Sequence, residues 1–448
     1  MMRNVVACIL AGGEGRRLLP ITAHRAKPAV RFGGCYRLID FPLSNCVNSG
    51  IRKVLVLSPS QSLSLERHLQ EGWTSLCPRG DEYVLSIPPP NRTGLISYQG
   101  TADAVYQNLS TLGRIGPEHV LILASDHVYH MDYRRLFDVH LEHGADATVA
   151  TFPVTRETAH QFGIVTTTRR GRVTSFLEKP KDAGALPGGA PSVMASMGIY
   201  LFRFDVLRDV LLENSRDGFT HDFGGEILPQ MVGRYRLVAF PFVKGIDTEP
   251  AYWRDVGTID AYWEAHMDLL DPRPPFRFQH PEWPLHTAIT SGTSAAFIAV
   301  QDLGNGQEWR DTRALIAKGC SLSGAFVDRS ILSPGVCIDP EAVVEESILF
   351  DGVRIGRGAK VRRAILDRGT TVPAGARIGY GSVADGKGFH LSERGVTVVG
   401  YTPTGRDFGK ETGAVFPHRP PEPSPHGNGH SGRRRAVYAS GDLATHLA

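Results

Sequence analysis

The sequence predicts an α/β domain built on a doubly wound, mostly parallel sheet, followed by a left-handed parallel β-helix. Two observations carry this. From Val5 to about Phe242, short apolar runs alternate with polar, helix-like stretches, as a parallel sheet covered on both faces requires. Past a Pro-rich connector, Asp271-Pro272-Arg273-Pro274-Pro275, the apolar period becomes six. A third observation is length: 448 residues with 42% hydrophobic content exceed one ordinary core and imply two packed domains.

In chain order, Val5 to Leu10, Lys53 to Leu57, Val120 to Leu123, Ala147 to Phe152 and Ser196 to Phe202 read as central strands. Thr101 to Leu112 and Tyr133 to His143 have the apolar spacing of amphipathic helices. Ligands of such a domain sit at the carboxyl ends of its strands. In the second domain Ile331, Cys337, Val343, Leu349, Ile355 and Val361 recur at six-residue intervals, and after a one-residue slip Leu366, Val372 and Ile378 continue them. Glycines at 335, 352, 358, 369 and 375 fall near the corners, so each turn of the solenoid buries its face against its neighbours. From about Pro403 the chain is rich in Pro, Gly, His and Ser and ends beyond Arg433-Arg434-Arg435, a composition expected to stay disordered. The expected division is a first domain over 1–270, a connector over 271–315, the hexapeptide domain over 316–402 and a tail over 403–448.

Composition narrows the function. Lys and Arg total 49 against 46 Asp and Glu, a net charge of +3, too balanced for a surface organised around nucleic-acid phosphates. Cys8, Cys35, Cys46, Cys77, Cys320 and Cys337 lack the C-x-x-C spacing of a zinc or redox site and read as reduced, structural thiols. The apolar run from Val5 is stopped by Gly12-Gly13, short of the ~20 residues a membrane span needs, which points to a cytoplasmic protein without a membrane partner.

The first strand runs into Ala11-Gly12-Gly13-Glu14-Gly15-Arg16-Arg17-Leu18, where backbone N–H groups can approach phosphate oxygens without Cβ obstruction. Leu18 replaces the last glycine of a dinucleotide fingerprint, and no Gly-Lys-Ser/Thr of a P-loop follows. Arg16-Arg17 and Arg25-Ala26-Lys27 set fixed positive charge beside the loop, which suits a triphosphate.

The chain carries, in order, Ala11-Gly12-Gly13-Glu14-Gly15-x-Arg17-Leu18, Lys27-Pro28-Ala29-Val30, Phe32-Gly33-Gly34, Ile39 to Cys46, Gly100-Thr101-Ala102-Asp103-Ala104-Val105 and Ser125-Asp126-His127-Val128-Tyr129. Phe176-Leu177-Glu178-Lys179-Pro180, Ala195 to Tyr200, His221-Asp222-Phe223-Gly224 and Tyr252 to Thr258 follow. In these segments and their order, over roughly residues 4 to 400, the chain resembles bacterial ADP-glucose pyrophosphorylases. The resemblance implies a Rossmann-like nucleotidyltransferase domain that joins ATP to glucose 1-phosphate, with Mg2+ as cofactor. It assigns the metal to Asp126 and Asp255, and the catalytic roles to Arg17, Lys27 and Asp126. Nucleotide contacts fall to Gly12, Gly13, Gly15, Gly100, Thr101 and Asp103. Sugar-phosphate contacts fall to Tyr98, Gly163, Glu178, Lys179, Ser196 and Asp222.

The same resemblance implies a homotetramer and a phosphorylated-metabolite effector held between the domains, at His24, Arg31, Arg37 and Arg368. His24 and Arg31 stand where some relatives have lysine and histidine. A second departure is Ile87-Pro88-Pro89-Pro90-Asn91-Arg92, where relatives carry an Ala-Gln-Gln-like segment that reads the base. Asn91 offers an amide there if the loop shifts by one residue. The competing readings are a pyrophosphorylase for UTP, dTTP or GTP, a silent regulatory subunit, and an acyltransferase on the β-helix. The presence of Arg17, Asp126 and Lys179 argues against the second, and the absence of an evident catalytic histidine in the repeats against the third.

Overall fold

The computed structural model describes residues 2–13, 15–59, 62–76, 80–89, 98–181, 191–215, 221–246, 250–275, 280–288, 295–298, 313–381 and 389–400. Glu14, Asn91, Cys77 and the tail from 403 lie outside them. The first domain is a nine-stranded sheet between two layers of helices. Its strands are β1 (Val5–Leu10), β2 (Lys53–Leu57), β3 (Tyr83–Ile87), β4 (His119–Ala124), β6 (Ala147–Thr155), β7 (Gly163–Thr167), β8 (Val173–Glu178), β9 (Ser192–Arg203) and β10 (Leu237–Pro241). A separate ribbon pairs β5 (His127–Tyr129) with β11 (Trp253–Asp255).

Strand order is β8-β7-β9-β4-β1-β2-β3, with β6 beside β9 and β10 beside β6. The pairs β1/β2, β1/β4, β2/β3 and β6/β10 are parallel, as expected. The Ser196–Phe202 run instead belongs to a long strand, β9, antiparallel to β4, β6 and β7, so the sheet is mixed. Alternation along β1 explains its position at the centre. Val5, Ala7 and Ile9 face the core beneath α1 (Asp40–Asn48), α2 (Leu63–Gly72) and α5 (Tyr133–Glu142), while Val6 and Cys8 face α3 (Thr101–Tyr106), α4 (Leu109–Ile115) and α6 (Phe204–Asn214). The single helix expected over Thr101–Leu112 is two, because Asn108 donates its side-chain amide to Ala104 O at 2.8 Å and to Tyr98 Oη at 3.1 Å and so turns the chain.

The described cysteines are unpaired. Burial pushes the Cys8 thiol up to about 12, which keeps it protonated and inert.

Past the connector the chain winds into a parallel β-helix of three sheets, consistent with the left-handed form. Its register corrects the sequence expectation. The inward side chains are Leu332, Ile338, Val344, Leu349, Ile355, Val361, Leu366, Val372 and Ile378, whereas Cys337 and Val343 are partly exposed. Leu332, Leu349 and Leu366 stack through parallel pairs, so a coil is 17 residues and the one-residue slip recurs in every coil. The shortened corner is made by Arg329, Glu346 and Arg363, with φ of 42°, 47° and 47°. Ile331, Ile348 and Ile365 consequently point outward, into a core shared with Tyr262 and Trp263 of α7 (Ile259–Asp268) and with Phe32 and Phe41.

That shared core fixes one domain on the other. Trp263 Nε1 donates to Glu346 O at 2.8 Å, and the Arg363 guanidinium stacks 4.3 Å from the Trp263 ring. Beside them His266 is fully buried; its Nδ1 donates to Tyr262 O at 2.8 Å and its Nε2 accepts from Gly33 N at 3.2 Å. Acceptance at Nε2 requires the neutral ring, and burial holds its pKa down to about 3. The unfolded chain therefore takes up a proton that the folded one refuses. Stability is complete above about pH 6.5 and falls progressively as the pH drops toward 3. The melting midpoint is expected to fall between pH 7 and 5, with a shallower slope in His266→Gln; an unchanged slope would assign the loss to other groups.

Candidate active site

The site forms where β1, β4 and the β5/β11 ribbon converge. Ser125 Oγ donates to Leu10 O at 2.7 Å and so fastens the turn after β4 to the end of β1, bringing Asp126 beside the glycine loop. Antiparallel pairing sets Asp255 of β11 opposite His127 of β5, so these side chains share one face of the ribbon. Lys27 enters from a short 3₁₀ turn, Lys27–Ala29, shaped by Pro28.

The resulting cluster is compact. Lys27 Nζ donates to Asp126 Oδ2 at 2.6 Å and lies 3.9 Å from Asp255 Oδ1. His127 Nε2 is 3.5 Å from Asp126 Oδ1. Burial opposes ionisation of Asp126, but the Lys27 ammonium and His127 outweigh it and hold the carboxyl well below the usual range. Asp126 is therefore a carboxylate at any working pH. Asp255 Oδ1 is buried without a hydrogen-bond partner. Two carboxylates with one orphaned oxygen fit a hard divalent cation.

The phosphate side is open. A Cβ on Gly12 or Gly13 would meet nothing within 4 Å, so the loop faces free space on that edge. Gly15 is in the left-handed region (φ 59°), and its carbonyl accepts from Thr22 Oγ1 at 2.8 Å. Arg17 comes near Asp255: a Cβ on Gly257 would lie 2.9 Å from Arg17 Nη2 and 3.0 Å from Asp255 Oδ1. Arg25, expected beside the loop, instead donates to Asp367 of the β-helix at 2.8 Å, so its charge ties the domains together.

Of the residues expected to contact the sugar phosphate, Gly163, Lys179 and Asp222 gather around Glu178 at the end of β8. Its Oε1 pairs with Lys179 Nζ at 2.9 Å. A Cβ on Gly163 or Gly224 would lie 2.7 or 2.6 Å from Glu178 Oε2, so both positions must be glycine for this carboxylate to stand where it does. Lys179 has φ 44°, a strained backbone for a residue with a side chain, and that side chain is 62% exposed. Asp222 Oδ2 accepts from Thr101 Oγ1 at 2.9 Å, and its Oδ1 accepts from Gly225 N at 2.8 Å.

Other expected positions are held by the protein itself. The Asp103 carboxylate accepts from Gln99 N and Gln107 Nε2, which braces the turn at Gly100. Tyr98 Oη donates to Ile87 O at 3.0 Å and closes the base of the loop that follows β3. Ser196 Oγ donates to Tyr200 Oη at 3.2 Å within a bulge of β9. Of the base-reading segment, Pro90 to Arg92 lie outside the described residues.

Of the four residues expected to hold an effector, Arg31 and Arg37 stand near Asp351 of the β-helix, and Arg368 follows Asp367, the partner of Arg25. Arg31 makes a two-pronged contact with Asp351, at 2.7 and 3.0 Å. Arg37 Nη1 donates to Ser64 O at 2.7 Å, and burial, with Arg31 nearby, lowers its pKa to about 10. Arg368 N donates to Asp367 Oδ1 at 2.7 Å, and His24 is exposed. Sequence reasoning passed over His127 as a site residue. Only the β5/β11 register reveals it, since alternation along one strand would have turned it away from Asp126.

Comparison with known proteins agrees with this fold. The nucleotidyl transferase family matches residues 6–272, and the GlmU-like C-terminal hexapeptide family matches residues 294–399. A glucose-1-phosphate adenylyltransferase 2 of Vibrio parahaemolyticus is 44% identical over 401 residues, 89% of this chain and 98% of that protein. Glucose-1-phosphate adenylyltransferases of Koribacter versatilis and Nitrosospira multiformis are each 42% identical, across 89% of this chain and 95% and 94% of their own lengths. With this identity sustained along both domains, the chain belongs to the glucose-1-phosphate adenylyltransferase family.

Proposed function

We propose that the chain transfers the adenylyl group of ATP to glucose 1-phosphate, giving ADP-glucose and pyrophosphate for α-glucan synthesis. The observation that carries this is the Lys27–Asp126–Asp255 cluster beside an open glycine loop, with Glu178 and Lys179 at the sugar end. Glucose 1-phosphate is already nucleophilic at neutral pH, so the chain's task is alignment and charge neutralisation. The glycine loop receives the triphosphate, and Arg17 and Lys27 face the β- and γ-phosphates that leave. Lys179 holds the sugar phosphate and Glu178 accepts from sugar hydroxyls. The ammonium of Lys27 exchanges Asp126 for phosphate oxygens as the nucleotide enters. Asp126 and Asp255 hold Mg2+, which when bound neutralises charge on the phosphate oxygens.

The reverse reaction tests the proposal. ADP-glucose, pyrophosphate and Mg2+ should yield ATP and glucose 1-phosphate; failure to form ATP would refute it. Lys179→Ala should raise KM for glucose 1-phosphate about tenfold or more and leave kcat within about threefold, because ground and transition states share the contact. An unchanged KM would remove Lys179 from the sugar site.

The proposal includes a cytoplasmic homotetramer, divided at about residues 270, 315 and 402. No helix among the described residues is long and apolar enough to cross a membrane. A phosphorylated metabolite would bind at His24, Arg31, Arg37 and Arg368, where the guanidinium groups of the three arginines suit phosphate.

A further inference from the structure

We infer that His127 is a third protein donor toward the divalent cation, making the site two carboxylate oxygens and one imidazole nitrogen; this rests on the reading of Asp126 and Asp255 as metal ligands. The first support is geometric. One ligand atom from each of Asp126, His127 and Asp255 lies within 4.8 Å of the others, and this is the cluster of that kind among the described residues. Atoms bound at ~2.1 Å to one octahedral ion stand about 3.0 Å apart at right angles and about 4.2 Å apart across it. The 3.5 Å from His127 Nε2 to Asp126 Oδ1 falls in that range.

The second support is that the ring nitrogen facing Asp126 is not taken up by the protein. A structural histidine is normally claimed by the protein: His266 engages both ring nitrogens, and His68 Nε2 bonds to Asp40 at 2.5 Å. The His127 side chain is 11% exposed, its Nδ1 is buried without a partner, and its Nε2 contact to Asp126 is too long for a strong hydrogen bond. His119 and His140 also bury an unpartnered nitrogen, but neither belongs to a metal-sized cluster among the described residues.

The third support is separation of roles within Asp126. Lys27 takes Oδ2, whereas His127 faces Oδ1, and the orphaned oxygen of Asp255 is also Oδ1. The three uncommitted atoms can thus converge without competing for the oxygen that Lys27 holds. The ring is also packed against its neighbours. Trp253 packs edge-on against it at 5.1 Å, and a Cβ on Gly198 would come within 3.5 Å of its Cε1.

An imidazole donor changes metal choice. Oxygen-only sites suit Mg2+, while a nitrogen favours Mn2+, Co2+ or Zn2+. The test is Mn2+ titrated into the full-length protein and followed by electron spin resonance, with spin-echo modulation to detect bound nitrogen. The expected signal is an imidazole nitrogen coupling that changes on 15N-histidine labelling, a result that needs no variant. In His127→Gln the coupling should vanish and the Mn2+ Kd rise about tenfold or more, with the Mg2+ Kd changing less than about threefold. If Mn2+ binds, is lost in Asp126→Asn and shows no histidine coupling, the cation site stands and the role of His127 is overturned. Mn2+ binding that survives both Asp126→Asn and Asp255→Asn would overturn the carboxylate reading and this inference with it.

Discussion

Asp126→Asn is expected to lower kcat by about a thousandfold or more, roughly 4 kcal/mol in the barrier, while the protein still folds. The side chain sits in a turn anchored through Ser125, and an amide of the same shape fits there. What disappears is charge. Asp126 is held ionised by the 2.6 Å contact with Lys27, and an amide offers a cation one neutral oxygen in place of a carboxylate. Lys27 then loses its counter-charge and its fixed place beside the glycine loop. Steady-state turnover at saturating Mg2+ checks this, alongside a melting curve within a few degrees of wild type. Near-normal turnover would remove Asp126 from the chemistry.

The largest expected effect on stability lies away from the chemistry. The Asp40 carboxylate, fully buried at the start of α1, accepts from His68 Nε2 at 2.5 Å, Trp73 Nε1 at 3.0 Å, Thr287 Oγ1 at 2.7 Å and Arg37 N at 2.8 Å. One side chain thus joins α1, α2 and the connector. Asp40→Ala strands four donors, two of them on the buried His68 and Trp73, and should destabilise the protein by ~3–5 kcal/mol, seen as a fall in melting temperature of roughly 6–20 °C. Burial alone would raise the Asp40 pKa, but His68 outweighs it and the net direction is down. Its stabilisation is therefore complete above the unfolded carboxyl value of about 4 and disappears only as pH falls through the lower folded value. A loss below about 1 kcal/mol in a denaturant titration at pH 7 would contradict this account.

What the sequence made legible follows from how local each signal is. β1, β2 and β4 are continuous apolar runs because both faces are covered, and such runs show without knowledge of their neighbours. Direction does not show, and β9 reads like its parallel neighbours although it runs against β4 and β6. The six-residue period was visible, but its phase was not. Ile331 and Leu332 are both fully buried, one toward α7 and one toward the solenoid interior, so apolarity alone cannot choose between them. At the site, the glycine loop, Lys27, Asp126 and Asp255 came from motifs, and the structure brings them together. His127 and the Arg25–Asp367 pair depend on contacts across 128 and 342 residues of sequence, which no local pattern records.

The most direct test of the central claim is kcat/KM for ATP, UTP, dTTP and GTP with glucose 1-phosphate and Mg2+, followed by pyrophosphate release. The account predicts ATP as the best nucleotide. Its margin should be ~3- to 10-fold narrower than in relatives with the glutamine segment, because Pro88 and Pro89 supply neither an amide side chain nor a backbone N–H to the base. A clear preference for UTP, dTTP or GTP, or no pyrophosphate from any of the four, would contradict it.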